Sequence, residues 1–153
     1  MSPTAGRRVR FVAALGLAFA LAAGCGPATD PGRQTIDGIV EGAEERQAAA
    51  IVERLSPDFQ AADGSGRADA DVTLRRYLAA YEKLGVRISE LTIERAEGAA
   101  RARFRADLSG SPRRIGGLDG LLPESSAYRF DLRLVPAEGG RWLVAWAAWE
   151  PAS

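Results

Sequence analysis

The sequence contains no histidine, and its 153 residues include one cysteine and one methionine. Without histidine, the chain has no Ser-His-Asp or Cys-His catalytic arrangement and no metal site built on imidazole. A single cysteine cannot form an intramolecular disulfide. The sequence also lacks P-loop, G-x-G-x-x-G and EF-hand motifs. It therefore predicts neither a metal nor a cofactor.

The chain also lacks an excess of positive charge. It has 20 basic and 20 acidic residues, and residues 1–24 hold three of the bases and none of the acids. The remaining 129 residues, the size of one ordinary domain, carry a small negative net charge. This balance argues against nucleic acid as a partner.

No apolar run is long enough to cross a bilayer. The run from Phe11 to Gly24 has 14 residues, whereas a spanning helix needs about 20. Arg7, Arg8 and Arg10 precede the run, and small residues end it. A basic start, a short apolar middle and a small-residue end are typical of a secretory signal peptide, which we assign to residues 1–24.

The only cysteine follows this run directly, in the stretch "LAAGC". This stretch resembles the lipobox of bacterial lipoprotein precursors, although Ala22 stands where that motif most often has Leu. The resemblance implies that Cys25 receives acyl chains and becomes the first residue of the mature chain. Residues 25–33 are then a flexible tether. Gly26, in place of Asp, favours the outer membrane, with the domain facing the periplasm.

Two helices are predicted after the tether. Apolar residues at three-and-four spacing run from Ile36 to Leu55, with Thr35 as a candidate N-cap. A Gly- and Asp-rich link follows. The second helix is expected to begin at Asp69 or Asp71 and to end at Gly85.

Four strands are predicted after Gly85, where the apolar period changes to two. They cover residues 86–95, with a bulge near Ser89–Glu90, and residues 98–108, 127–135 and 141–150. The connection over 109–126 is long for a compact domain. The sequence thus predicts an α+β domain over 34–153, with two N-terminal helices on a mainly antiparallel four-stranded sheet.

The order of these elements over residues 34–150 resembles the nuclear transport factor 2-like superfamily, the cystatin-like α+β cone. The resemblance rests on "IVERLSPDF", the Gly/Asp-rich link, the tyrosine-bearing second helix and the closing "GGRWLVAWAAWE". It implies a curved sheet that wraps around the helices and leaves a conical pocket. Superfamily members include isomerases, dehydratases, cyclases, hydrolases and non-catalytic binding domains, so the fold does not select a function.

Aromatic residues are the candidates for the pocket lining: Tyr77, Tyr81, Phe104, Tyr128, Phe130, Trp142 and Trp146. Helical spacing also suits Tyr77 and Tyr81 to an ordinary core. Strict alternation along the last strand predicts Trp142 and Trp146 on one face and Trp149 on the other.

Asp58 and Asp63 are the weak candidates for a catalytic base. They lie near the region that supplies the base in enzymes of the superfamily. A turn or capping role after Pro57 is the simpler interpretation of Asp58. We assign no catalytic residue beyond these two candidates.

Arginines form the remaining pattern. Arg101, Arg103, Arg105, Arg129 and Arg133 are expected on one sheet face, beside Asp107 and Asp131. Cross-strand ion pairs on a solvated face explain the pattern. The alternative is a docking surface for an acidic partner or for anionic lipid headgroups.

Two functions follow from these observations. The first is a membrane-tethered, non-catalytic domain that binds a small apolar ligand or an envelope protein. The second is an isomerase- or cyclase-type enzyme with Asp58 or Asp63 as its base. An acid beside Tyr77 or Tyr81 inside a pocket would favour the second.

Overall fold

The computed structural model describes residues 29–113 and 125–153. The elements are α1 (Pro31–Glu44), α2 (Ala48–Val52), β1 (Leu55–Ala61), α3 (Arg67–Ala79), β2 (Tyr81–Ala96), β3 (Ala99–Pro112), β4 (Ser125–Pro136), a 3-10 turn (Glu138–Gly140) and β5 (Trp142–Pro151). The predicted signal peptide, Cys25 and residues 114–124 of the long connection lie outside the described residues. Within those residues, no helix is long and apolar enough to span a membrane.

The strands form one sheet in the order β1-β5-β4-β3-β2. The β1–β5 pair is parallel and the other three pairs are antiparallel. The predicted α+β class with helices packed on a mainly antiparallel sheet is confirmed. The sheet has five strands in place of four, because Leu55–Ala61, expected as a helix end and a corner, pairs with β5.

The single long first helix was a wrong prediction, because α1 and α2 are separate helices. Arg46 adopts the left-handed conformation (φ 57°), which turns the chain between them. α2 then folds back against α1 at Gly42, where an added Cβ would lie 3.0 Å from Ile51 Cγ1. A larger residue at Gly42 would obstruct this contact.

The predicted helix boundaries also need correction. Asp30, and not Thr35, caps α1, since its carboxylate accepts the backbone N–H groups of Gly32 (2.8 Å) and Arg33 (3.2 Å). Pro31 at the first helical position fits this start. Thr35 is instead buried, with its hydroxyl donating to the carbonyl of Trp142 (2.6 Å).

The second predicted helix begins and ends earlier than expected. α3 starts at Arg67, and the Asp69 carboxylate accepts the backbone N–H of Gly66 (2.9 Å). It ends at Ala79, so Gly85 lies inside β2 and is not a helix cap. Gly85 pairs with Ser109, where an added Cβ would lie 2.9 Å from the Ser109 hydroxyl.

Alternating side chains separate the sheet into two faces. The helix face carries buried apolar residues, listed here: Ala100, Ala102, Leu132, Leu134, Val144 and Ala147. The outer face carries the five predicted arginines with Asp107 and Asp131. This assignment is confirmed, as is the bulge near Ser89–Glu90, where the pairing with β3 skips and Glu90 has φ 54°.

The core has two parts. One lies between the helix face and α1, around Ile36, Leu134 and Val144. The other lies where α1, α2 and α3 meet the start of β2, around Ile51, Leu78 and Tyr81. Tyr81 is 2% exposed and is among the largest fully buried side chains.

Candidate functional site

Tyrosine side chains from three elements converge at one end of the sheet. Tyr77 comes from α3, Tyr81 from the start of β2 and Tyr128 from β4. The rings of Tyr77 and Tyr81 are 5.2 Å apart, and the Tyr77 hydroxyl is hydrogen-bonded to Tyr81 and Ser126. We call Tyr77, Tyr81, Ser126 and Tyr128 the tyrosine cluster.

The environment keeps Tyr77 protonated. The pKa of Tyr77 is raised to about 12. Burial is the largest cause, and the hydrogen bond to Tyr81 and the nearby Tyr81 and Tyr128 hydroxyls add to it. Tyr77 is therefore a neutral hydroxyl throughout the physiological range. It can donate a hydrogen bond to a ligand, but it does not act as a base there.

A row of aromatic rings adjoins the cluster on the helix face. Tyr128 and Phe130 are 6.4 Å apart, Phe130 and Phe104 stack at 5.2 Å, and Phe130 and Trp149 are 6.4 Å apart. Cross-strand pairing of Phe104 with Phe130 and of Phe130 with Trp149 sets this arrangement. These rings are only partly buried, and Trp149 is 51% exposed. The row offers an apolar surface beside the hydroxyls.

Neither candidate base lies in such a setting. Asp58 is exposed on β1. Asp63 lies in the turn after β1, where its carboxylate accepts the backbone N–H (2.9 Å) and the hydroxyl (2.5 Å) of Ser65. These hydrogen bonds, the one from the Ser65 hydroxyl first, lower the pKa of Asp63. A lowered pKa makes a carboxylate a weaker base.

The prediction that Trp142 and Trp146 share one face of the last strand, with Trp149 on the other, was wrong. Arg133 pairs with Trp146 and Leu134 pairs with Val144, so Ala145 is an extra residue in β5. This bulge reverses the alternation. Trp142 packs against the core and Trp149 pairs with Phe130, both on the helix face, whereas Trp146 lies on the outer face. Trp146 is therefore removed from the candidate lining of the cone.

No group of three or more Asp, Glu, His or Cys side chains that could hold a metal occurs in residues 29–113 and 125–153. No Asp or Glu residue in these ranges is buried as a whole, although Oδ1 of Asp71 is shielded from solvent, and the buried polar residues there are Thr35 and Ser56. Sequence reasoning missed Ser126. No pattern in the sequence marks it, because only the β4 register brings it to Tyr77.

Comparisons with known proteins support the fold but no closer relationship. No family model and no curated protein matches the sequence. Solved structures do match. One is named "Putative Scytalone Dehydratase", from Novosphingobium aromaticivorans, with a TM-score of 0.68 and 12% identity over 79% of this chain and 81% of that chain. Another is a nuclear transport factor 2-like superfamily protein from Salmonella enterica, with a TM-score of 0.63 and 14% identity over 78% and 87%.

A third is a protein of unknown function from Pseudomonas putida, also described as nuclear transport factor 2-like. It has a TM-score of 0.60 and 18% identity over 77% of this chain and 82% of that chain. The fold is nuclear transport factor 2-like. At these identities the likeness concerns the fold alone, and activity has to be argued from the residues.

The outer face of this nuclear transport factor 2-like sheet is a surface of ion pairs. Arg101 binds Asp131 through two hydrogen bonds, and Arg103 lies 3.7 Å from the same carboxylate. These contacts, the hydrogen bond from Arg101 first, lower the pKa of Asp131. Arg105 pairs with Asp107 at 3.0 Å.

Two open grooves cross this face between rows of side chains. One, of about 370 Å³, lies among the side chains of Glu90, Arg103, Arg129, Asp131, Ala148 and Glu150. The other, of about 490 Å³, lies toward the β2–β3 turn. A salt bridge of 3.4 Å between Arg129 and Glu90 crosses the first groove.

Proposed function

We propose that this chain is a membrane-tethered, non-catalytic binding domain. In this proposal acyl chains on Cys25 hold it to the periplasmic side of the outer membrane. The ligand is a small, neutral, largely apolar molecule that lies along the aromatic row with a polar atom at the tyrosine cluster.

The tyrosine cluster and the aromatic row carry the proposal. They combine apolar surface with neutral hydroxyls, the composition typical of small-molecule sites. No buried carboxylate accompanies them within the described residues. The high pKa of Tyr77 supports hydrogen-bond donation, not proton abstraction.

An enzyme of the isomerase or cyclase type is the second candidate. It is favoured by the name of one similar structure, a dehydratase. Asp58 and Asp63 give it little support, because both are exposed and the pKa of Asp63 is lowered.

The ligand site is tested with prodan, a neutral aromatic ketone whose emission shifts in apolar surroundings. A fragment over residues 29–153 is used after circular dichroism shows cooperative melting. We expect saturable, blue-shifted emission. Tyr77→Phe should weaken binding about 2- to 10-fold, the value of one hydrogen bond.

Trp146→Phe is the matched control, because it changes an aromatic residue on the opposite face. It should leave prodan binding unchanged. Absence of saturable binding, or equal losses in the two variants, would contradict the ligand site. The tether is tested separately by mass spectrometry of the N-terminal peptide from native membranes. An acylated Cys25 is expected, and an unmodified thiol or a retained Met1 would contradict it.

A further inference from the structure

The start of α1 is held by a helix cap and by an ion pair to the sheet. Asp30 caps α1 and also binds Arg95 of β2 at 2.5 Å. The Arg95 guanidinium in turn lies 5.4 Å from the ring centroid of Trp142, at the start of β5. These contacts fix the start of α1 against the end of the sheet that carries the β2–β3 turn. We call this the tether end.

The tether end must lie near the membrane if Cys25 is lipidated, so this inference rests on the proposed function. Four residues lie between Cys25 and Asp30, so five residue steps join them. Five steps span at most about 18 Å, whatever the conformation. The tyrosine cluster, beside the first residues of β2, lies at the opposite end of the sheet and faces away from the tether.

The larger groove opens at this tether end. It is about 490 Å³ and runs from the β2–β3 turn along the outer face. Its residues include Arg95, Ala99, Arg101, Arg133 and Trp146. Arg95 pairs with the buried Ala100, so its backbone borders the groove while its side chain reaches Asp30 on the helix side of the sheet.

Three arginines lie along this part of the outer face, with Glu94 and Asp131 beside them and Glu97 in the adjoining β2–β3 turn. Arg101 and Arg103 share the carboxylate of Asp131, and Glu94 is 3.9 Å from Arg103. Arg133 has no ion pair within residues 29–113 and 125–153. It is exposed and pairs with both Arg101 and Trp146 in the sheet register.

The far part of the same face is balanced. Arg105 pairs with Asp107 and Arg129 with Glu90. The two further charges there, Arg87 and Glu150, have opposite signs. Arg87 and Arg133 both lack an ion pair within the described residues, and of the two it is Arg133 that lies beside a tryptophan and at the end where the tether is attached.

We propose that this groove docks on the phosphate groups of anionic phospholipids in the membrane that holds the tether. Guanidinium groups bind phosphate through paired hydrogen bonds. Tryptophan is enriched at membrane interfaces because its ring is apolar with one polar N–H. Arg133 beside Trp146 supplies both, within reach of the bilayer. Docking holds the tether end on the membrane and leaves the tyrosine cluster open to the periplasm.

The test uses the full chain, purified from bacterial membranes and reconstituted into phosphatidylcholine vesicles with or without phosphatidylglycerol. A fluorophore is attached in Ala99→Cys, in the groove, or in Ser109→Cys, at the far end of β3 on the same face. Headgroup spin-labelled lipid is the quencher. We expect phosphatidylglycerol to increase quenching at position 99 and not at position 109.

Charge reversal identifies the contact. Arg133→Glu should abolish the phosphatidylglycerol-dependent increase, since each basic residue near an anionic surface contributes about fivefold to binding. Arg87→Glu makes the same charge change on the same face at the far end and should retain it. Equal quenching at positions 99 and 109, or no dependence on phosphatidylglycerol, overturns the proposal.

Two other outcomes are distinguishable. A chain that does not float with the vesicles contradicts the tether, whereas one that floats without lipid-dependent quenching contradicts the docking alone. Energy transfer between labelled copies, with position 99 insensitive to phosphatidylglycerol, would assign the groove to a second copy of this chain and overturn lipid docking.

Discussion

The two faces of β4 are one residue apart in sequence and differ in what holds them. Leu132 and Leu134 are 5% and 0% exposed, whereas Asp131 and Arg133, which alternate with them, face solvent on the other side. On the helix face, close packing fixes the side chains, and burial supplies the stability. On the outer face, exposed ion pairs contribute little, so its arginines are free to serve recognition.

The largest expected effect comes from truncating a buried side chain on the helix face. Leu134→Ala should lower the free energy of unfolding by about 2–5 kcal/mol, because the site is fully buried and a cavity remains. Arg133→Ser, its neighbour on the exposed face, should change it by no more than about 0.5 kcal/mol. Urea unfolding followed by circular dichroism measures both. Equal losses would show that the arginine face is buried in an interface.

A smaller loss is expected from overpacking at the junction of β2 and β3. In Gly110→Ala, the new Cβ would lie 2.7 Å from the Tyr81 ring and 2.9 Å from the Lys83 carbonyl oxygen. We expect a loss of about 1–3 kcal/mol. Ser111→Ala, at the exposed adjacent residue, is the control and should unfold at the same urea concentration as wild type. A stable Gly110→Ala would mean that Tyr81 is not held tightly.

Tyr77→Phe tests the hydrogen bonds of the Tyr77 hydroxyl at the edge of the helix face. Near neutral pH we expect a loss of about 1 kcal/mol from its hydrogen bonds. The folded pKa of about 12 exceeds the usual value of 10.0, so wild-type stability should fall as the pH rises from 10 to 12. Tyr77→Phe has no hydroxyl to ionise at this position, so its stability should fall less over the same pH range. Parallel stability curves for the two proteins above pH 10 would contradict the assignment.

The smallest effect is expected on the outer face. Asp131→Asn should cost no more than about 1 kcal/mol at pH 7, because its partners are exposed. Arg101 holds the pKa of Asp131 below its usual value of 3.8. The carboxylate therefore stabilises the fold above that pH, and this stabilisation disappears as the pH falls through the lowered pKa. The free energies of unfolding of variant and wild type should therefore differ at pH 7 and become equal below pH 3, as measured by urea unfolding.

The sequence predicted the sheet faces well because alternation depends on local residues. Phe104 and Phe130, which the sequence predicted to line the pocket, do lie on the helix face, but both are only partly buried. Truncating either should therefore cost less than at a fully buried site. The predicted bulge near Ser89–Glu90 is also present, because the apolar pattern slips there.

Other features depended on tertiary contacts that no local pattern records. Arg46 takes a left-handed conformation that usually favours glycine, so the break between α1 and α2 was missed. The extra residue at Ala145 reverses the tryptophan faces without any glycine or proline to mark it. The tyrosine cluster was foreseen as separate residues, but its convergence with Ser126 required the β4 register.

The parallel pairing of β1 with β5 sets the order in which the fold can be completed. Leu55 pairs with Val144 and Ala61 with Ala147, so the first strand of the sheet needs the last one as its neighbour. Non-local pairing of this kind is slow, and an unpaired strand edge invites association with other chains. A chain synthesised or exported with its N-terminus first therefore carries β1 without a partner until its final strand is released, and the domain closes only then.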